Sequence, residues 1–225
     1  FNTNPQSLDG TTAYTFSQIV TITGITLTNN CDVTMTRASA ATLAGTGGWT
    51  QGANSVLSYM GTTITVTTRD FGTNNNIVDY SNTGTQTVIG TTYRYLIISG
   101  SGTKTLGGNT DITDDLTVTA GSLALSTRNF TVNGTTSISG TLSDGSNTGS
   151  NLFVGAVTVN AGGIWNCNSV TSVGNTIFQN GITSDGTAFN GGAATFNTNS
   201  QILTGTFRLA FRAIVATGVT LSLIH

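Results

Sequence analysis

Two aspartates lie 41 residues apart, which is the offset at which part of the sequence repeats itself. Asp144 and Asp185 each lie in a Ser-Asp-Gly tripeptide, at positions 143–145 and 184–186. If this spacing corresponds to two coils of a solenoid, stacking at ~4.8 Å per coil places both acids on one corner, roughly 10 Å apart. Inverting glycosidases use a pair of acids at a similar separation. The alternative is that Ser-Asp-Gly is turn chemistry, in which each Asp bonds its own backbone.

A second acidic group lies in residues 107–116, Gly-Gly-Asn-Thr-Asp-Ile-Thr-Asp-Asp-Leu. Its candidate metal ligands are Asp111, Asp114 and Asp115, and the glycine pair before Asp111 is typical of calcium-binding nonapeptides. Ca²⁺ takes six to eight oxygen ligands, whereas this segment occurs once. We therefore expect a solvated turn here, with no bound metal and no cofactor.

Nucleophilic and zinc chemistry lack the residues they need. A serine triad requires a histidine base, and the chain has only His225. Zinc sites require clustered Cys and His, but Cys31 and Cys167 lie far apart in the sequence. Six or seven coils would separate the two cysteines by about 30 Å, and a disulfide needs Cα atoms within ~7 Å. We predict two free thiols and no catalytic residue.

Aromatic side chains that could stack against sugar rings are Trp49, Tyr93, Tyr95 and Trp165. In the 41-residue repeat Trp165 replaces Ala124, whose neighbours Leu123 and Leu125 are expected to point inward. Alternation then predicts that Trp165 is exposed. The predicted ligand contacts, none of them catalytic, are Trp165, Tyr95, Asp144 and Asp185.

Thr-x-Thr motifs suggest another surface chemistry. Regular threonine ladders on a flat solenoid face order water in some ice-binding proteins, although threonine also suits exposed strand positions in general. The motifs here are unevenly spaced, and most of them lie before residue 120. They include positions 21/23, 26/28, 34/36, 63/65/67, 85/87, 103/105 and 117/119.

The elements that must position these residues are short strands in a repeat. Residues 116–146 align without a gap on residues 157–187, with ten of 31 positions identical. Turn residues recur every 18–22 positions between Gly100 and Gly218. Apolar residues alternate within each module, which is the period of a strand. A coil of this size cannot bury its own apolar face and must stack on its neighbours.

The sequence therefore predicts an all-β fold, a right-handed parallel β-solenoid of roughly ten coils. The period is about 20 residues per coil, a repeat length typical of solenoids, with a 41-residue double repeat. The gapless alignment places Val118 and Val159 at equivalent inward positions two coils apart, and it does the same for Leu123 and Ile164.

The composition fits this prediction. Thr, Gly, Asn and Ser, with 47, 29, 22 and 20 copies, make up about half of the 225 residues. Charged residues are 7%, all nine acids are Asp, and Lys104 is the only lysine. Helix formers are scarce, and the clustered Lys and Arg of a nucleic-acid interface are absent from the sequence. No apolar run approaches the ~18 residues of a membrane span, so we expect no membrane insertion.

Residues 80–108, YSNTGTQTVIGTTYRYLIISGSGTKTLGG, and 114–145, DDLTVTAGSLALSTRNFTVNGTTSISGTLSDG, carry a family resemblance. They resemble the repeat regions of large secreted bacterial adhesins with parallel β-helical stalks or passengers. The resemblance implies a spacer or adhesive surface, secreted or on the bacterial cell surface, with a surface polysaccharide or another cell-surface protein as partner. It carries over no functional residue.

We accordingly expect a non-enzymatic, extracellular structural or adhesive segment of a larger protein. A carbohydrate-binding or carbohydrate-cleaving β-helix and an ice-binding solenoid are the alternatives. Residues 1–18 are interpreted as a cap or incomplete coil and residues 19–220 as the solenoid. Residues 221–225, Leu-Ser-Leu-Ile-His, match the translation of a sequencing-library transposase adapter. We interpret them as an artefact on a metagenomic fragment.

Overall fold

The computed structural model describes residues 1–144, 149–167 and 176–224, and these contain strands but no helix. The strands of the first half are β1 (Gln6–Leu8), β2 (Tyr14–Phe16), β3 (Val20–Thr21), β4 (Thr26–Asn29), β5 (Asp32–Met35), β6 (Leu43–Gln51), β7 (Val56–Tyr59), β8 (Thr65–Asp70), β9 (Ile77–Tyr80), β10 (Gln86–Val88), β11 (Thr92–Tyr93), β12 (Tyr95–Ile98), β13 (Thr103–Leu106) and β14 (Thr110–Ile112). Those of the second half are β15 (Leu116–Val118), β16 (Ser122–Ala124), β17 (Phe130–Val132), β18 (Thr136–Ile138), β19 (Thr141–Ser143), β20 (Asn151–Phe153), β21 (Val157–Val159), β22 (Ile164–Asn166), β23 (Thr176–Phe178), β24 (Ile182–Ser184), β25 (Ala188–Asn190), β26 (Ala193–Phe196), β27 (Gln201–Thr204), β28 (Ala213–Ala216) and β29 (Leu221–Ile224).

All pairings between these strands are parallel, and each strand pairs with the strand one coil away. An eleven-stranded sheet runs along the whole stack in the order β2-β5-β7-β9-β12-β15-β18-β21-β24-β27-β29. A six-stranded and a seven-stranded sheet form the other walls from β10 onward, and a five-stranded sheet forms a wall of the first coils. The chain is a parallel β-solenoid of about ten turns with roughly 20-residue spacing, which confirms the predicted fold class.

In most strands every second residue lines the interior, whereas β28 is exposed throughout and β29 is exposed at three of its four residues. In β15, β18 and β21 the two flanking residues are buried and the central residue faces outward. Apolar residues of successive coils therefore stack into ladders along the axis. Aromatic rings form one such ladder in the seven-stranded sheet, where the ring centroids of Phe153 and Phe178 are 5.6 Å apart, as are those of Phe178 and Phe196.

The first half buries polar groups as well as apolar ones. The hydroxyls of Tyr80 and Tyr93 lie 2.9 Å apart, and the Tyr93 hydroxyl donates to the carbonyl of Ile89. Inward-facing Gln86 donates from its amide to the carbonyls of Tyr59 and Gly61 at a coil corner. These bonds satisfy polar groups that would otherwise destabilise the interior.

The predicted register is correct for one pair and wrong for the other. Val118 pairs with Ile138 and Ile138 with Val159, so Val118 and Val159 are equivalent and both fully buried. Leu123, however, aligns through Leu142 with Trp165. The corner before Trp165 spans residues 160–163, one residue longer than residues 119–121, and this slip reverses the facing of β22.

Both ends of the chain contribute strands. Residues 6–8 and 14–16 form β1 and β2, which pair with β4 and β5. Residues 221–224 form β29, which pairs with β27. His225, the last residue of the suspected adapter segment, lies outside the described residues.

Candidate functional site

The two Ser-Asp-Gly acids are not on one corner. Asp144 follows β19 of the six-stranded sheet, whereas Asp185 follows β24 of the eleven-stranded sheet. Strands β15 and β21 begin at positions 116 and 157, but β18 and β24 begin at 136 and 182, so the offset grows and the sequence match does not follow the coils. Asp144 is buried, and Asp185 accepts hydrogen bonds from the amide and hydroxyl of Thr206, which lower its pKa. The predicted placement of the two acids on one corner is therefore wrong.

The three acids of residues 107–116 have different partners and do not converge on one point. Asp111 is exposed on the outer side of β14. Asp114 forms an ion pair with Arg94 at 2.8 Å, and Asp115 accepts hydrogen bonds from the amide and hydroxyl of Thr135. Within the described ranges no group of three or more His, Cys, Asp or Glu residues is placed to hold a metal ion.

Three of the four aromatic candidates are inside the solenoid. Trp49, Tyr93 and Trp165 are fully buried, so the predicted exposure of Trp165 is wrong. The Trp165 ring stacks on Phe189 with centroids 5.4 Å apart and lies 5.1 Å from the ring of Phe153. The register slip at residues 160–163 turns this side chain inward, where it extends the aromatic ladders.

Tyr95 is the aromatic candidate that remains on the surface. It begins β12, is half-buried and lies beside Ile77 on the outside of the eleven-stranded sheet. Tyr95 and Ile77 line an open groove of about 360 Å³ with Asn54, Asn75 and Asn76. We call these five residues the Tyr95 groove.

Charged residues hold the tyrosine at one side of this groove. The guanidinium carbon of Arg94 lies 5.9 Å from the centre of the Tyr95 ring, a cation–π arrangement. Arg94 is fixed in turn by its ion pair with Asp114. A hydrogen bond between Tyr95 and Asp114 is the main cause that raises the pKa of the Tyr95 hydroxyl.

Asparagines form the other side of the Tyr95 groove. The Asn75 amide donates to the Asn54 side-chain oxygen at 3.1 Å, and Asn54 adopts a left-handed backbone with φ of 59°. The Asn76 amide donates to the carbonyl of Asn74 at 2.8 Å. An amphipathic ring beside fixed amide groups is suited to hold a polar ligand with an apolar face.

Sequence reasoning named Tyr95 but missed its neighbours. Asn75 follows Asn54 by 21 residues and Tyr95 follows Asn75 by 20 residues, and each spacing is close to one coil. Applying the coil period to the irregular first half would have brought the three residues together. Arg94 directly precedes Tyr95, but the sequence does not show that its side chain turns back over the ring.

Hydroxyl side chains line the outside of the eleven-stranded sheet. Five consecutive coils place one hydroxyl each at the same register position, and we call this set the hydroxyl column. Its members are Thr117, Ser137, Thr158, Thr183 and Thr204. Toward the start of the chain, Ile97 and Asp79 occupy the next two positions and interrupt the column.

The two cysteines are free and buried, which confirms the thiol prediction. Burial is the main cause that raises the pKa of each thiol. A high pKa keeps a thiol protonated and unreactive.

Comparison with known proteins adds no family to this description. No protein-family model, no curated protein and no solved structure matches the chain. No helix in the described ranges has the length and apolar composition needed to span a bilayer. The fold defines the class of protein: a parallel β-solenoid with an apolar and aromatic interior and an exterior rich in hydroxyl and amide groups.

Proposed function

We propose that this chain is a non-catalytic structural and adhesive segment of a larger secreted or cell-surface bacterial protein. The observation that carries the proposal is the eleven-stranded sheet, which continues from Tyr14 to Ile224. Each coil is rigidly paired to the next, so the stack extends in one direction and can span distance. The resemblance of residues 80–108 and 114–145 to adhesin repeats supports the same function.

The adhesive contact that we propose lies at the Tyr95 groove, and its partner is a surface polysaccharide. Tyrosine offers a flat apolar face for the C–H side of a sugar ring, and tyrosine and arginine dominate the energetics of many interfaces. Arg94 and Asp114 restrain the tyrosine in place. Amides of Asn54 and Asn75 stand within the same groove to bond sugar hydroxyls.

The test is binding of the purified chain to immobilised bacterial surface polysaccharides. Tyr95→Ala should weaken the binding about 30-fold, the effect of a residue that contributes ~2 kcal/mol to an interface. Tyr14→Ala is the matched control, because Tyr14 is an exposed tyrosine on the same sheet. Equal losses in both variants, or full binding by Tyr95→Ala, would contradict the assignment.

The hydroxyl column favours ice binding as a second candidate function. Ice binding requires threonine-type side chains in register over many coils, and five consecutive coils meet that condition. Thermal hysteresis measurements on the intact chain test it. Thr158→Tyr should abolish hysteresis, whereas Thr131→Tyr on the seven-stranded sheet should not. A wild-type chain without hysteresis would remove this candidate and leave the adhesive proposal untouched.

The proposal includes no carbohydrate cleavage. The sequence motive for cleavage was the pairing of Asp144 with Asp185, and these acids follow strands of different sheets. If the polysaccharide is bound and not cut, Asp144→Asn and Asp185→Asn should leave both the ligand and its affinity unchanged. Release of reducing ends by the wild-type chain, lost in either variant, would overturn the non-catalytic assignment.

A further inference from the structure

The only lysine of the chain is completely buried. Lys104 lies on β13 and faces inward, between Gln86 of the preceding coil and Leu123 of the following coil. An ammonium group inside a protein is costly unless every proton finds an acceptor. Lys104 must therefore have a specific environment.

That environment is a cage of backbone carbonyls at a coil corner. Lys104 Nζ donates to the carbonyl oxygens of Gly84, Gly100 and Gly102 at 3.3, 3.1 and 3.2 Å. It also donates to the carbonyl of Asn82, its closest contact. Four oxygens share three N–H donors, so at least one contact is not a separate directed hydrogen bond. The attraction between the positive charge and the carbonyl dipoles therefore contributes as well as the hydrogen bonds.

Glycines allow these carbonyls to converge. A Cβ atom on Gly100 would lie 1.9 Å from the Asn82 oxygen, and one on Gly102 would lie 2.0 Å from the Gly84 oxygen. A Cβ on Gly121, in the next coil, would lie 2.2 Å from the Gly100 oxygen. The cage is thus formed by the stacked backbone of successive corners.

The oxygens suit a monovalent ion. The four groups that contact Nζ are neutral backbone carbonyls and include no carboxylate, so they lack the negative charge that Asp and Glu ligands supply to Ca²⁺ and Mg²⁺. Rings of backbone carbonyls replace the hydration shell of K⁺ in potassium channels. A water molecule has only two protons to donate and would leave part of the cage unsatisfied.

We propose that this cage is a monovalent cation site that the Lys104 ammonium occupies, and that it takes K⁺ or NH₄⁺ once the lysine side chain is removed. Because the ammonium of Lys104 is covalently attached to the chain, the cation stays in the cage whatever the salt concentration. The stability of the corner therefore does not depend on the salt around the protein. The inference is independent of the Tyr95 groove and of the proposed function.

Thermal unfolding of Lys104→Ala tests the site. At constant ionic strength, KCl and NH₄Cl should raise its melting temperature above that in choline chloride, whose cation is too large to enter. At ten times the dissociation constant of the cation, the increase should be about 3–6 °C. LiCl should have no effect beyond that of choline chloride.

Lys104→Met and the wild-type chain are the controls. The Met side chain fills the space of the lysine stem without a charge, so neither protein should respond to K⁺. If Lys104→Ala does not fold in choline chloride, the same comparison is made as refolding yield, which KCl should restore. Equal melting temperatures in all four salts, or no refolding in any of them, would overturn the proposal.

Discussion

Replacement of Val159 by Asp is the sharpest test of the interior register. Val159 is fully buried on β21, and its register partners are Ile138 and Ser184. Loss of the buried valine costs about 1.5–3 kcal/mol in transfer free energy. A carboxyl group held there should have its pKa raised by about 3 units, which adds ~4 kcal/mol at neutral pH.

One interaction reduces that cost. The hydroxyl of Ser184 is buried and has no hydrogen-bond partner among the described residues, so it can donate to the new carboxylate. We therefore expect Val159→Asp to lower the free energy of unfolding by about 4–6 kcal/mol at pH 7. Thr158→Asp, one residue away and outward, should stay within about 1 kcal/mol of the wild type.

The pH dependence separates ionisation from packing. The pKa of the aspartate is ~3.9 in the unfolded chain and higher in the folded one, so the penalty grows as pH rises above ~3.9. At pH 3 the acid is protonated in both states, and only the packing loss of about 2 kcal/mol should remain. Urea unfolding of both variants at pH 3 and pH 7 measures this. Equal losses for Val159→Asp and Thr158→Asp, or a loss independent of pH, would refute the alternation.

Three further predictions follow from the interior. Trp165→Ala should lower the free energy of unfolding in urea by about 3–5 kcal/mol, because the ring fills the core. Trp165→Phe should lower it by less than about 1.5 kcal/mol. An unchanged midpoint for the alanine variant would place the ring outside. Thiol titration should count two thiols in the unfolded, unreduced chain and almost none in the folded chain, since both are buried. Tyr80→Phe should cost about 1–3 kcal/mol, because it leaves the amide of Ile89 without its acceptor and removes the bond to Tyr93; calorimetry against Tyr14→Phe as an exposed control checks this.

The solenoid could be predicted because its determinants are local. A two-residue alternation and a turn about every 20 residues are visible in any single coil, and stacking is the way such coils bury their apolar faces. Val118 and Val159 were placed correctly because the corners between them happen to keep the offset of the alignment. The alternation of apolar residues recurs from coil to coil, and for that reason the strands can be predicted from the sequence.

The corners vary in length, and their lengths decide which residues meet. Between the eleven-stranded and six-stranded sheets the corners span residues 119–121, 139–140 and 160–163 in successive coils. A difference of one residue turned Trp165 inward, and the growing offset carried Asp144 and Asp185 to different sheets. A gapless alignment cannot detect such changes, because small polar residues recur at every corner and match by composition.

The alternation of apolar and polar residues predicts which apolar side chains face the interior, but it cannot identify polar side chains that do so. Gln86 and Lys104 each lie between two threonines, so their strands look polar on both faces. Their side chains face the interior because they stand at the same register position as the buried residues Leu123, Leu142 and Trp165. What stabilises them inside is the carbonyl groups of the corners, which Gln86 and Lys104 are long enough to reach. Hydrophobicity therefore predicts which strands stack, but the hydrogen-bonding needs of the corner backbone decide where a glutamine or a lysine can replace a leucine. Those needs follow from corner conformation, which depends on the close approach of Gly100 and Gly121 in neighbouring coils and not on any one coil alone.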